Sequence, residues 1–229
     1  MSLPMKIRLI VFVFLLSMGC SQSLSAQNNA DDKADEQIEK KAADWVASLQ
    51  LADAAKAQKV ADAIALHLKT IRTWNNEHPY TIVPAGIDPA TGNRLSNLDR
   101  QVIANSAMPA SIHQNLVNVL NAELTLDQVE AILDKYTIGK VEFTMKGYKA
   151  IVPDLTSEEE AKILSYLKQA REEAIDFKNM KQVSAIFEIY KTKCEQYLNG
   201  NGRNWHQLYK DYVNKIKAQK AAEKKENNS

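Results

Sequence analysis

Cysteine is nearly missing from this chain, an excess of either charge is missing altogether, and no apolar run is long enough to cross a membrane. The two cysteines among 229 residues are Cys20 and Cys194. The longest apolar run, Leu9 to Leu16, falls well short of the roughly 20 residues a bilayer requires. It follows the basic residues Lys6 and Arg8 and precedes a small, polar stretch ending in Ala26, which is the grammar of an export leader cleaved after Ala26. On that reading the protein is exported, with the periplasm the expected compartment. The alternative is a lipid anchor on Cys20, which follows Met18-Gly19. Cleavage leaves Cys194 alone, so no intrachain disulfide and no Cys/His zinc spacing is available. Cys194 then reads as a small core residue.

Lysine and arginine number 29 against 28 aspartates and glutamates. Loss of a leader carrying Lys6 and Arg8 turns the formal net charge of +1 slightly negative. Such a surface has no basic excess with which to neutralise phosphates, so nucleic acid is not an expected partner. Familiar site grammars are absent as well. There is no Gly-x-Ser-x-Gly elbow, no phosphate-binding glycine loop, no His-Glu-x-x-His and no calcium loop. "GNGRNW" lacks the preceding strand that a dinucleotide fingerprint needs. Triad hydrolysis, nucleotide binding, a metal site and a cofactor are therefore not expected.

The remaining pattern is helical. Ile38, Ala42, Trp45, Val46 and Leu49 recur at helical spacing, as do Val60, Ile64, Leu68, Ile71 and Trp74 in a longer helix from about Ala52 to Asn76. Pro79 ends it. A proline-punctuated loop, "HPYTIVPAGIDPATGNRLS", leads to two short helices, the second with Pro109 in its first turn. Thr125 with Gln128, and Thr156 with Glu159, predict capping boxes for two further helices. "NGNG" (Asn199 to Gly202) breaks the next helix, and Asn204 and Gln207 open the last. Between the capped pair, residues 138–152 alternate like a strand at Val141, Phe143 and Met145. Because a lone hairpin is marginal, helix or irregular structure is preferred there. The expected fold is an all-α, single-domain bundle of about seven helices. Its divisions are a leader over 1–26, a disordered start over 27–36, the helical domain over 37–216, and a disordered charged tail over 217–229.

Several polar residues occupy unusual places. Arg171 falls inside the apolar arc of its helix, where an internal salt bridge is the first explanation and a ligand contact the second. His67 lies mid-stripe and reads as a core histidine. "RTWNNEHPY" gathers Arg72, Trp74, Asn75, His78 and Tyr80 at a helix end and loop start. "GRNWHQLY" repeats the alphabet with Arg203, Asn204, Trp205, His206 and Tyr209. Flat aromatic faces with placed Arg, Asn and His donors are what a sugar-binding cleft uses. The competing explanation is tryptophans anchored in the core beside helix caps.

The run "EFTMKGYKAIVPDLTSEEEAKIL", with "QAREEA" and "FEIYKTKCEQYLN", resembles a family of secreted Bacteroidota proteins catalogued as domain of unknown function 3826. The likeness extends from about Ile38 to Val213 as an overall pattern and carries no catalytic motif. Members look like companions of enzymes that dismantle uronate-rich polysaccharides, so the resemblance implies a carbohydrate role with an oligosaccharide or polysaccharide fragment as partner. Joined to the residues, it leads to a β-eliminating lyase or dehydratase acting on uronate-containing oligosaccharides. In that scheme Arg72 or Arg171 holds the carboxylate so that the developing enolate is stabilised. His78 and Tyr80 serve as base and acid, Trp74 supports a ring, and Asn75, Arg203 and His206 complete the binding set. The alternatives are a non-catalytic glycan-binding accessory or a periplasmic helical chaperone. The chaperone is suggested by the match of "LTLDQ" to a Leu-Thr-x-x-Gln signature that is also an ordinary helix start.

Overall fold

The computed structural model describes residues 31–89 and 91–226. The leader, Cys20 and the last three residues of the tail lie outside the described residues. Among those described the fold is all-α, with no strand and one isolated antiparallel bridge, Ile87 to Arg94. Nine α-helices stand there against about seven expected: α1 (31–47), α2 (Ala54–Glu77), α3 (Asn97–Ser106), α4 (Ala110–Glu123), α5 (Leu126–Thr137), α6 (Lys140–Ile151), α7 (Ser157–Ala174), α8 (Met180–Gly200) and α9 (Trp205–Glu226). Two expectations of disorder need correction. Residues 31–36 already belong to α1, and α9 runs through the charged tail to Glu226. A run such as "KAQKAAEKKE" is rich in good helix formers, so it extends a helix that is already nucleated.

Contacts divide the chain into two compact units, residues 1–69 and 70–229, with the boundary inside α2. In the first, the Asp53 side chain accepts from the backbone N–H groups of Ala55 and Lys56 at 2.8 and 3.1 Å and so opens α2. Lys69 reaches back to Asp35 and Glu39, which sets α1 and α2 antiparallel. Val60, Ile64 and His67 are buried along α2, as the stripe predicts.

The second unit is built around α7 and α8. Ile163, Leu167, Ala170 and Ala174 on α7 meet Val183, Ile186, Phe187, Cys194 and Leu198 on α8 in one apolar cluster. α6 packs on α7, α5 on both α6 and α7, α3 on α8, and α9 on α6 and α8. Both predicted capping boxes are present, Thr125 with Gln128 and Thr156 with Glu159, and Ser96 with Asp99 adds a third. α5 turns into α6 through two consecutive left-handed residues, Ile138 (φ 54°) and Gly139 (φ 65°). This reversal lets α6 form as a helix in the ambiguous segment. Val141, Met145 and Tyr148 turn to the core, while Phe143 stays 76 % exposed. Apolar residues on two faces of a short helix imitate the alternation of a strand.

Candidate functional site

The end of α2 and the start of its loop are organised as a polar latch. His78 stacks on Trp74 with ring centroids 3.7 Å apart and planes 12° from parallel. Its Nδ1 lies 2.9 Å from the Trp74 carbonyl, so the ring donates there. The amide of Asn75 donates to buried Asn105 of α3 at 3.2 Å. Gln101 donates to that same Asn105 oxygen at 3.2 Å and to the His78 carbonyl at 2.9 Å. Asn105 in turn donates to the Asp176 carbonyl at 3.5 Å. Tyr80 lies beneath the Arg100 guanidinium, 5.3 Å from its ring centre, and Arg100 Nε donates to the Val83 carbonyl at 2.9 Å. The first sequence segment thus brings Trp74, Asn75, His78 and Tyr80 together around α3, with Arg72 half-buried on the same helix end. Their hydrogen bonds serve mainly to close the helix end. The buried indole Nε1 of Trp74 has no hydrogen-bond partner.

Arg171 does not join them. It is 2 % exposed, and its Nη2 and Nη1 meet Glu130 and Asp134 of α5, each at 2.6 Å. This is the internal ion pair that its place in the apolar arc suggests, and it spends the guanidinium on holding α7 to α5. Arg203 is committed elsewhere too. Its Nε and Nη2 clamp both oxygens of Glu159 at 2.8 and 2.7 Å, while Nη1 reaches Asp154 at 2.9 Å. The Arg203 guanidinium, followed by the backbone N–H of the Thr156 cap, holds the Glu159 carboxyl down at about 2. His206 is exposed on α9.

The second segment contributes more through its aromatic residues than through its cations. Trp205 and Tyr209 line a cavity of about 650 Å³ whose other walls are α6 and α8. On α6 the lining residues Lys140, Phe143, Thr144, Gly147, Tyr148 and Ile151 recur at three- and four-residue steps, hence on one face. Tyr148 and Trp205 have ring centroids 5.1 Å apart, and Trp205 and Tyr209 stack at 6.2 Å and 26°. The rings form a staircase from the buried Tyr148 to Tyr209, which is 51 % exposed. Phe143 adds a second open aromatic face.

α8 supplies the polar side of this cleft. Lys191 Nζ pairs with both oxygens of Glu188 at 3.0 and 2.9 Å, and the Tyr148 hydroxyl donates to the Lys191 carbonyl at 3.2 Å. Glu195, one turn further on, is half-buried in the wall. Burial pushes its carboxyl up, Lys191 pulls it back and Glu188 adds to the rise. Behind it Cys194 is sealed in the core, and burial pushes its thiol up to about 11, as befits packing rather than nucleophilic attack. Phe143, Gly147, Tyr148, Lys191, Glu195 and Tyr212 are the cleft residues that sequence reasoning missed. The α6 members of this set lie on its second apolar face, legible only once that segment is taken as a helix, whereas Lys191 and Glu195 on α8 and Tyr212 on α9 carry no local signal that joins them to it.

The cleft therefore offers flat apolar surfaces next to cations and one carboxyl of raised basicity, a combination suited to a ring carrying hydroxyls and a negative charge. No curated protein matches the chain. A family model matches residues 35–218, nearly all of the described chain, and so this protein belongs to the family described as Protein of unknown function (DUF3826).

Proposed function

We propose that the protein is an exported carbohydrate-active protein that takes uronate-containing oligosaccharides in the cleft between α6, α8 and α9 during polysaccharide breakdown. The observation that carries this reading is the aromatic staircase, Tyr148 to Trp205 to Tyr209, opening beside Lys140, Lys146 and Lys191 in one cavity. Exposed aromatic area costs solubility unless it covers something, and the flat C–H face of a pyranose is a matching surface. Lys140 supplies charge for a carboxylate at the rim, where Lys146 and Lys191 are shared with Glu142 and Glu188. β-Elimination is the reaction such a site would host. A cation near the carboxylate acidifies the C5 proton, and the Glu195 carboxylate, its basicity raised by burial, can take that proton and pass it to the departing oxygen as the carbon–oxygen bond breaks. This reading transfers the ligand from the end of α2, where His78 and Tyr80 are engaged by Trp74 and Arg100, to the cleft.

The test is to titrate the protein, without its leader, with galacturonate and mannuronate oligomers and with neutral cello-oligomers. Calorimetry should detect binding of an acidic oligomer, and ultraviolet absorbance of a conjugated double bond should report elimination. Absence of binding to every acidic oligomer, together with suppression of client aggregation, would turn the assignment towards a chaperone. Binding without absorbance would leave a glycan-binding accessory.

A further inference from the structure

Gly147 stands inside α6, about two turns from its start and one from its end, where glycine weakens a helix relative to alanine. Tight packing does not explain it. A Cβ built at Gly147 meets no atom within 4 Å, and its backbone φ is not in the left-handed region. The backbone at this point lines the 650 Å³ cleft, between the open face of Phe143 and the half-buried Ile151 on the same helix stripe. A helix interior thus carries a residue of poor helix propensity at a position that lines the cavity.

We propose that Gly147 is a specificity-determining position, whose bare backbone is the floor on which one sugar ring of an acidic oligosaccharide sits, with Trp205 and Tyr209 as the aromatic wall of the same subsite. The proposal rests on the cleft being the ligand site and adds to it how deep the ring enters. Without a Cβ, the ring can approach the helix backbone to van der Waals distance, and the Thr144 hydroxyl, one turn earlier, is available to a sugar hydroxyl. An alanine methyl would occupy that layer and hold the ring away from both the backbone and the aromatic wall.

Helix propensity and ligand binding then respond to one substitution in opposite directions. Gly147→Ala should raise the thermal midpoint by roughly 1–4 °C, because the new methyl meets open space and the helix gains propensity. The same variant should bind a galacturonate or mannuronate oligomer at least about tenfold more weakly than the unaltered protein, as expected for a methyl forced into an occupied contact. Gly200→Ala is the control. It too meets nothing within 4 Å but lies at the end of α8, away from the cleft lining, and it should leave affinity unchanged. A Gly147→Ala protein that is stabilised and binds as tightly as the unaltered one overturns the proposal while leaving the cleft assignment intact. Destabilisation by Gly147→Ala overturns it as well, because glycine would then be required by packing. If the unaltered protein binds no acidic oligomer, or if Tyr209→Ala and Phe143→Ala leave its binding unchanged, the cleft assignment itself fails.

Discussion

Replacing Arg203 by methionine removes the clamp that joins the α8–α9 turn to the first turn of α7, and the cost falls on Glu159. The guanidinium holds both oxygens of Glu159, which is 4 % exposed, and one oxygen of Asp154. Asp154 is largely solvated and contributes little. Glu159 is different, because without Arg203 its carboxylate stays buried with only the Thr156 cap as partner. Breaking a buried pair by removing one member costs about 3–5 kcal/mol. The depression of Glu159 from 4.5 to about 2 corresponds to about 3 kcal/mol by linkage. We expect a loss of about 3 kcal/mol at pH 7 in urea unfolding, and a lower thermal midpoint by roughly 6–12 °C.

The sign with pH follows from the depressed carboxyl. Its contribution is fully present above the unfolded value near 4.5 and disappears as pH falls through about 2. The acid limb of the stability curve should therefore flatten in Arg203→Met, and in a Glu159→Gln background the same replacement should cost only about 1 kcal/mol. A loss below about 1 kcal/mol at pH 7, or an acid limb as steep as that of the unaltered protein, would show that Arg203 does not stabilise a buried Glu159 carboxylate.

Further outcomes are expected elsewhere. Arg171→Met should cost less than Arg203→Met, about 1–2 kcal/mol in urea unfolding, since Glu130 and Asp134 are exposed enough to rehydrate. It should also leave oligosaccharide affinity by calorimetry unchanged. His113 is held between Asp176 and Glu172, and these bonds, Asp176 first, raise its ring to about 10. Its contribution is complete below the unfolded value near 6.5 and is lost as pH rises through about 10. His113→Gln should abolish that alkaline loss in unfolding measured across this range. Ile138 holds a left-handed φ of 54° and is 72 % exposed, so Ile138→Asn should stabilise the fold by about 1 kcal/mol, read from the urea midpoint.

The helical architecture was legible because its signals are local. The stripes of α2 and α8 and the boxes at Thr125 and Thr156 each carry their cause within a few residues. The missed disorder-to-helix boundaries at 31–36 and 217–226 reflect the same locality, since charge and polarity mark exposure and leave helix formation open. Arg171 was legible as an ion pair, but its partners on α5 lie 37 and 41 residues away, beyond any local pattern. The end of α2 looked like a site because Trp, His and Tyr were adjacent in sequence. In space Trp74 and His78 stack on each other, and Tyr80 lies beneath Arg100 of α3. The cleft was hard to read for the opposite reason. Its wall takes residues from α6, α8 and α9, and on α6 they are interleaved with core residues in a pattern that mimics a strand.

The most direct test of the cleft uses the three tryptophans, Trp45, Trp74 and Trp205, as internal reporters. Their indole N–H signals, assigned by substitution, are followed by NMR while an acidic oligosaccharide that binds the protein is titrated in. The Trp205 signal should shift in proportion to occupancy while those of Trp45 and Trp74 stay in place. Movement of the Trp74 signal with Trp205 unmoved would return the ligand to the end of α2 and rule out the cleft.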